Sequence, residues 1–556
     1  MNPVGAFLDP LGIMSSFSKV HEAWMRNPAE LTATLTQMSS DFMSLNTEEL
    51  IPFLFDGKNA KETPEDLRNA FLTLVNNYAV LMQKYHAACG GWLKDYVSRA
   101  EEIEDRDRER SMFMVDQIMN ALAPSNCFWT NPVAVRKFML TKGESLINGF
   151  NNWRRDVERG DNLVSIADTT AFKVGDNLAT TPGVVVFRNE LMELIQYTPA
   201  TDTTYAVPVV FIQPWINKYY IFDLDKGKSL VRYLRDQGFT VFVVSWKNPT
   251  SAMHAVNFED YMFLGALKAI EVAREICAAE HVHAVGYCIG GTVLAALMAW
   301  LNEGAARGDS LPVRHWTLFA GMVDFSEPGG VGVYISEDSV EKIEEVMERD
   351  GYLDGKHISL AFRLLRSDSL IWRYFVHNYL QGEMPPKSDF LYWNSDSTRL
   401  PAAMTSFFLR EFCLHNKLTK RDGVVLGNRP MDLERIDQPL YAVGAEQDHL
   451  CPWKTTFKIC NLVKAPVRYT LAAEGHIIGF VNPPSPRNNK KYWTGEAGGQ
   501  SDPDRWLSGQ QEQRGSWWED WVRWLSRRCG SLGAPPAESA KYPPLAKAPG
   551  SYVMEQ

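Results

Sequence analysis

The sequence predicts an α/β fold built on parallel strands, and three observations carry that prediction. Short apolar runs alternate with helical patterns from about residue 170 to 324, a series that implies parallel pairing. One junction in it, His281-Val-His-Ala-Val-Gly-Tyr-Cys-Ile-Gly-Gly-Thr-Val-Leu-Ala-Ala296, sets Cys288 within Gly286-Tyr-Cys-Ile-Gly290. That is the G-x-nucleophile-x-G pattern of a sharp strand-to-helix elbow. Two later strands each run into a polar residue able to serve such a nucleophile, first Asp448 and then His476.

The elements follow in order. Residues 1–165 read as a helical N-terminal domain, with apolar positions at helical spacing in Leu67-Arg-Asn-Ala-Phe-Leu-Thr-Leu-Val-Asn-Asn-Tyr-Ala-Val-Leu-Met82. The charged run Glu101–Arg110 is expected to be a solvated helix face. Residues 166–324 form the first part of the α/β core. Strands are expected at 207–212, 240–246, 282–287 and 315–320, with helices at 228–237, 258–280 and 292–300. Asn257 is the expected N-cap of the second helix. Residues 325–430 interrupt the alternation with an aromatic- and arginine-rich insertion, read as a cap over the active site. The core resumes over 431–529 with strands 439–445 and 467–472. It closes on the amphipathic helix Trp517-Trp-Glu-Asp-Trp-Val-Arg-Trp-Leu525. Residues 530–556, rich in Pro, Ala and Gly, read as an extended C-terminal tail.

The elbow explains its own composition. A turn this tight needs small residues two places either side of the nucleophile, and Gly290 and Gly291 let the helix approach the strand. The helix N-terminus favours Cys288 as thiolate, the reactive form. Cys288, then Asp448, then His476 is the nucleophile–acid–base order of α/β-hydrolases, and the expected fold is therefore an α/β-hydrolase core with a cap insertion and a helical N-terminal domain. His476 takes the thiol proton, while Asp448 fixes its tautomer and stabilises imidazolium. An oxyanion hole needs two backbone N–H groups. Ile289 supplies one, and the loop after strand 207–212 supplies the other from Trp215 or Ile216.

Composition sets bounds. With 45% apolar and 22% charged residues, the 556-residue chain is globular and large enough for two or three units. A formal charge of −10 argues against nucleic-acid binding, which needs a basic footprint. The eight cysteines include no CxxC pair, so neither a disulfide framework nor a zinc site is expected. Cys89, Cys127, Cys277, Cys413, Cys451, Cys460 and Cys529 read as reduced structural thiols. Cys451, three residues past Asp448, either packs or approaches the pocket. The start of the chain lacks a basic n-region and a long apolar core, so no signal peptide is expected. Nor does any run of 18 apolar residues exist to cross a membrane, and a cytoplasmic protein is expected. Without phosphate loops or metal-ligand clusters, the sequence implies no cofactor and no metal.

Further residues resemble the polyhydroxyalkanoate synthases, which polymerise 3-hydroxyacyl-CoA thioesters. From about Asn120 onward the markers are Ala121-Leu-Ala-Pro-Ser-Asn126, Thr181-Pro-Gly-Val-Val-Val-Phe187, Pro214-Trp-Ile-Asn-Lys-Tyr-Tyr220 and Val244-Ser-Trp-Lys-Asn-Pro249. After the elbow come Asp324-Phe-Ser-Glu-Pro328, Tyr392-Trp-Asn394, Val481-Asn-Pro-Pro484, Tyr492-Trp-Thr494 and Gly515-Ser-Trp-Trp518. The resemblance puts the family's catalytic Cys, Asp and His on Cys288, Asp448 and His476. It implies polymer synthesis with release of CoA, a homodimer, and association with polyester granules. Tyr287 and Ile289 look like the single-subunit class that favours short-chain monomers such as 3-hydroxybutyryl-CoA. The region ahead of residue 100 departs from the pattern, lacking the Arg-Phe…Trp motif.

On this reading Trp393 and Asn394 are candidates to bind substrate at the cap entrance. Arg363, Arg366, Arg373, Arg399 and Arg410 are candidates to meet the anionic CoA. The N-terminal cluster Phe7, Leu8, Leu11, Ile13, Met14 and Phe17 either docks onto polymer or packs against the fold. The alternatives are a cysteine-nucleophile thioesterase or esterase sharing the triad, and a granule-coat protein without turnover, against which the complete triad speaks.

Overall fold

The structure is a computed structural model that describes residues 13–45, 64–161, 163–498 and 502–556. The chain divides into two compact units, residues 1–168 with 359–388, and residues 169–358 with 389–556.

The first unit is helical. Its helices are α1 (Ile13–Arg26), α2 (Pro28–Leu45), α3 (Pro64–Ser98), α4 (Asp105–Ala121), α5 (Pro132–Leu140) and α6 (Glu144–Arg159). Val20, Trp24, Tyr96, Val97, Val115 and Met119 form one small core, with Trp24 stacked on Tyr96 at 5.2 Å. Phe17 packs against this core, while Phe7, Leu8 and Leu11 lie outside the described residues and Ile13 and Met14 are described in backbone only.

Part of the expected cap belongs here. Asn152 donates from Nδ2 to the carbonyls of Asn378 and Glu383, and the Tyr379 hydroxyl donates to Asp156 at 2.6 Å. Residues 359–388 are thus fastened to α6, so the insertion at 325–430 is not a single body. Nothing local in sequence announces such long-range pairing.

The second unit is built on an eleven-stranded sheet. Its strands are β1 (Gly183–Arg188), β2 (Met192–Tyr197), β3 (Val209–Ile212), β4 (Val241–Trp246), β5 (Val282–Tyr287) and β6 (Val313–Phe319). They continue as β7 (Leu440–Ala445), β8 (Val467–Ala472), β9 (Lys491–Glu496), β10 (Gln513–Arg514) and β11 (Ala546–Lys547). The spatial order is β10-β9-β8-β7-β6-β5-β3-β4-β2-β1-β11. The six central strands, β8 through β4 in that order, pair in parallel, and the flanking strands are antiparallel. β4 and β5 are buried at every position, as a parallel sheet covered on both faces requires. Helices α7 (Leu230–Asp236), α8 (Lys268–Cys277), α9 (Ile289–Ala305) and α10 (Trp518–Ser526) belong to this unit. Asn257 caps the helical run that leads into α8, in a full capping box with Asp260.

Chain progression reverses beside β3: the chain passes from β3 to β4 on one side, then returns to β5 on the other. Open α/β sheets bind ligands at such a switch point, outside the carboxyl ends of the strands. Ile212 lies in register with Gly286 there, so the loop after β3 and the elbow after β5 emerge side by side.

The C-terminal residues are extended but tied down. β11 adds to the β1 edge, and Leu532–Gly533 pairs with Thr204–Tyr205. Glu193, wholly buried, accepts from the backbone N–H groups of Ser551 and Tyr552 at 2.9 and 3.0 Å and pairs with Arg188. Glu193→Ala would strand these donors, costing about 2–4 kcal/mol. Urea unfolding should show that loss, and limited proteolysis should cut the tail earlier than in the parent protein; an unchanged midpoint would refute the anchor.

Candidate active site

Cys288 occupies the N-cap of α9 with φ 51° and ψ −124°. A side-chain residue is rare at such a φ and persists only where its surroundings impose it. Here they do. A Cβ on Gly286 would lie 2.6 Å from Gly291 Cα, and one on Gly290 would strike the Ile212–Gln213 backbone. The Cys288 N–H donates to the Phe319 carbonyl at 2.8 Å, tying the elbow to β6.

The acid and base arrive on the loops after β7 and β8. The side chain of Asp448 is fully buried, and its Oδ1 accepts the N–H groups of Leu450 and Cys451, each at 2.9 Å. Its Oδ2 accepts from His476 Nδ1 at 2.7 Å, so the other ring nitrogen is left for the nucleophile. Cys288 Sγ, a His476 ring nitrogen and Cys451 Sγ lie within 4.8 Å of one another. The structure thus brings together the three residues expected from sequence.

The electrostatics favour an ion pair. The neighbouring Cys451 thiol, donating to Cys288, and the His476 imidazolium together lower the Cys288 pKa to about 5 against the opposing effects of burial and the Asp448 charge. For His476, burial opposes the charge, but the Asp448 carboxylate and the Cys288 thiolate outweigh it and hold the imidazole pKa well above its ordinary value. Thiolate and imidazolium therefore stabilise each other, as an activated cysteine nucleophile requires.

Two contributors were not singled out for these roles in the sequence. The Tyr287 hydroxyl donates to the His476 carbonyl at 2.9 Å, and its ring stacks on the imidazole at 5.5 Å. Cys451 is the second, placed by its position in the Asx turn that follows Asp448. That turn was the available signal, since it folds residue 451 back toward the carboxylate.

The loop after β3 is held by the segment 396–398. Thr398 donates to the carbonyls of Trp215 and Ile216, while Lys218 and Asp396 form a buried ion pair at 2.7 Å that Tyr220 joins through its hydroxyl. The Trp215 ring is a buried plug against Tyr261 at 4.4 Å. Trp393 does not stand at an open entrance: it is buried in the main core and donates its indole N–H to the Lys218 carbonyl at 2.6 Å, while Asn394 is half-buried.

The arginines do not make one free patch. Arg410 is clamped by Glu337 and Glu344, and Arg363 is buried in the helical unit, donating to the Val164 carbonyl. Arg366 and Arg373 are exposed in the helical unit, and Arg399 lies over the Tyr352 ring.

Among the described residues, Cys288, Cys451 and His476 are also the one set of three whose ligand atoms converge closely enough to hold a metal ion. Two of these atoms are those of the candidate nucleophile and base, and acyl chemistry would require them unligated.

Comparison with known proteins places this geometry in context. Residues 72–234 match the family described as the poly-beta-hydroxybutyrate polymerase (PhaC) N-terminus, and residues 208–483 match the alpha/beta hydrolase fold. The chain is 35% identical to a poly(3-hydroxyalkanoate) polymerase subunit PhaC of Rhizobium meliloti, over 99% of this chain and 90% of the relative. It is 39% identical to the Cupriavidus necator protein of the same description, over 82% and 77%. Against poly(3-hydroxyalkanoate) polymerase 2 of Ectopseudomonas oleovorans it is 38% identical, over 81% and 80%.

The low Cys288 pKa predicts a specific alkylation profile. Thiolate is present above the depressed pKa and lost below it, so iodoacetamide labelling of Cys288 should plateau above about pH 6 and fall about tenfold per unit below about pH 5. Cys451→Val removes the largest stabilising contact and should move this titration upward. A labelling rate that still climbs toward pH 9 in the parent enzyme would show an ordinary thiol.

Proposed function

The chain belongs to the poly-β-hydroxybutyrate polymerase (PhaC) family, and from that premise we propose how this poly(3-hydroxyalkanoate) polymerase, an acyltransferase on an α/β-hydrolase fold, carries out its reaction. The substrate is a short-chain (R)-3-hydroxyacyl-CoA such as 3-hydroxybutyryl-CoA, and the reaction runs through a thioester on Cys288. What carries this reading is the convergence of the Cys288 sulfur with an imidazole that a fully buried Asp448 orients.

The Cys288 thiolate attacks the thioester carbonyl, and the tetrahedral oxyanion forms beside the start of α9. Collapse breaks the bond to CoA, whose sulfur leaves with the proton of the His476 imidazolium. One thioester has replaced another, which is near thermoneutral and suits a cysteine. His476, now neutral, takes the proton of a hydroxyl group on a monomer or chain end. The alkoxide attacks the acyl-enzyme, an ester forms, and Cys288 leaves as thiolate with imidazolium restored. Asp448 keeps the tautomer and offsets the imidazolium charge in both halves.

The oxyanion donors are the N–H of Ile289 and that of Ile216. The Trp215 carbonyl points at Thr398, and in a trans peptide the N–H of Ile216 faces the opposite way, which supports Ile216 over Trp215. Tyr287, packed against Phe222, His476 and Phe480, fills space beside the nucleophile and supports a short acyl chain. Among the described residues no helix is long and apolar enough to cross a membrane. We place the working enzyme in the cytoplasm at the polyester granule surface, as a homodimer.

The test is CoA release from (R)-3-hydroxybutyryl-CoA, with polymer and free acid assayed together. Insoluble polyester should accompany CoA, and Cys288→Ala should lower turnover at least ~10⁴-fold. Asp448→Asn should retain the thioester adduct but slow turnover ~10²–10⁴-fold, the signature of a mis-oriented base. Free 3-hydroxybutyrate as the sole product would instead identify a thioesterase.

A further inference from the structure

Seven cysteines stand outside the proposed chemistry, and one of them is not remote from it. The Cys451 sulfur lies within 4.8 Å of both the Cys288 sulfur and a His476 ring nitrogen, and its own backbone N–H is held by Asp448. Cys277, Cys413, Cys460 and Cys529 are not in that cluster, and burial raises their pKa values. A disulfide needs sulfur atoms about 2.05 Å apart, an approach of under about 3 Å from the present separation. The residues are distant in sequence, on the elbow and on the loop after β7, so only the fold creates the pair.

We propose that Cys288 and Cys451 form a reversible oxidative modification site: a hydroperoxide converts the two thiols to a disulfide, which a dithiol reductant reopens. The Cys288 sulfur attacks the terminal peroxide oxygen. The O–O bond breaks, sulfur loses two electrons to become the sulfenic acid, and the alcohol or water leaves with the proton of the His476 imidazolium. Cys451 then attacks the sulfenic sulfur. Neutral His476 takes the Cys451 proton and passes it to the departing hydroxide, so that one water forms as the S–O bond breaks and the S–S bond closes.

The neighbourhood favours both steps. Cys288 is half-buried and held as thiolate, the form that peroxides oxidise. Hydrogen bonding to the Cys288 thiolate, together with burial, raises the Cys451 pKa and keeps it a protonated spectator in the reduced enzyme. Sulfenic acid is neutral, so oxidation of Cys288 removes that restraint at the moment Cys451 must react. Closure also stops oxidation at a level a reductant can reverse, short of the sulfinic acid.

The effect on polymer synthesis rests on Cys288 being the nucleophile; the disulfide itself does not. The full-length enzyme is treated with hydrogen peroxide at about pH 8, blocked with N-ethylmaleimide, digested without reductant and mapped by mass spectrometry. A peptide pair joining Cys288 to Cys451, two hydrogens lighter than its parts, is expected, with CoA release lost and then restored by dithiothreitol. In Cys451→Val the pair is absent and peroxide inactivation becomes at least about tenfold less reversible, because Cys288 proceeds to sulfinic acid. Cys288 reaching sulfinic acid in the parent enzyme with no linked pair would overturn the proposal. A linked pair in enzyme that still polymerises would uphold the disulfide and remove Cys288 from the nucleophile's role.

Discussion

The candidate site in the second unit is built around one strained backbone position, the positive φ at Cys288. Holding a side-chain residue there costs on the order of 1–3 kcal/mol. β5 is buried at all six positions, and the elbow's first N–H is committed to β6, so the strand cannot relax by slipping. Gly286, Gly290 and Gly291 take away the side chains that would push α9 off the strand. Since a Cβ on Gly290 would collide with the Ile212–Gln213 backbone, the same close approach fixes the loop after β3 against the helix start. Cys288, the helix N-terminus and the loop are therefore packed as one unit.

Charge is the second constraint. Asp448, His476 and Cys288 are all withdrawn from water, and isolated charges there would neutralise rather than persist. They persist because each has partners. Asp448 is satisfied by two backbone N–H groups and the imidazole, His476 lies between two anions, and Cys288 faces both imidazolium and the Cys451 thiol. Tyr287 adds direction rather than charge, since its ring and hydroxyl grip His476 at two points. Remove any partner and the balance shifts for all, which is why the elbow's flanking tyrosine and the residue three beyond the acid belong to the same account as the triad.

The sequence made the central strands legible because buried parallel strands are written as continuous apolar runs: 282–287 and 467–472 are strands to the residue. α9 begins at Ile289, earlier than the expected 292, because the elbow passes directly into the helix. What escaped was non-local. Lys491–Glu496 reads as a polar motif, yet it lies antiparallel to β8, and Ala546–Lys547 has no strand character apart from the β1 edge that receives it. The joining of 359–388 to the helical unit rests on Asn152 and Asp156 meeting residues more than two hundred positions away. The grouping of Cys288, Asp448 and His476 was legible because each sits within a few residues of the end of a readable strand. Cap residues lacked that anchor, and Trp393 accordingly proved to be a buried post under Lys218.

The buried Lys218–Asp396 pair shows what residues 396–398 contribute. A buried ion pair is seldom a net source of stability, but breaking one is expensive, so it specifies a single arrangement. Here it lies between the loop after β3 and residues 396–398, with the Tyr220 hydroxyl donating to Asp396, the Trp393 indole donating to the Lys218 backbone carbonyl, and Thr398 donating to the carbonyls of Trp215 and Ile216. Those carbonyls are committed to Thr398, and the peptide N–H between them faces away from the Trp215 carbonyl. A loop free to flip would present a carbonyl oxygen to a developing oxyanion and repel it. On the proposed mechanism, residues 396–398 would act on the chemistry without touching the reacting atoms, through the sign of the dipole that the loop presents.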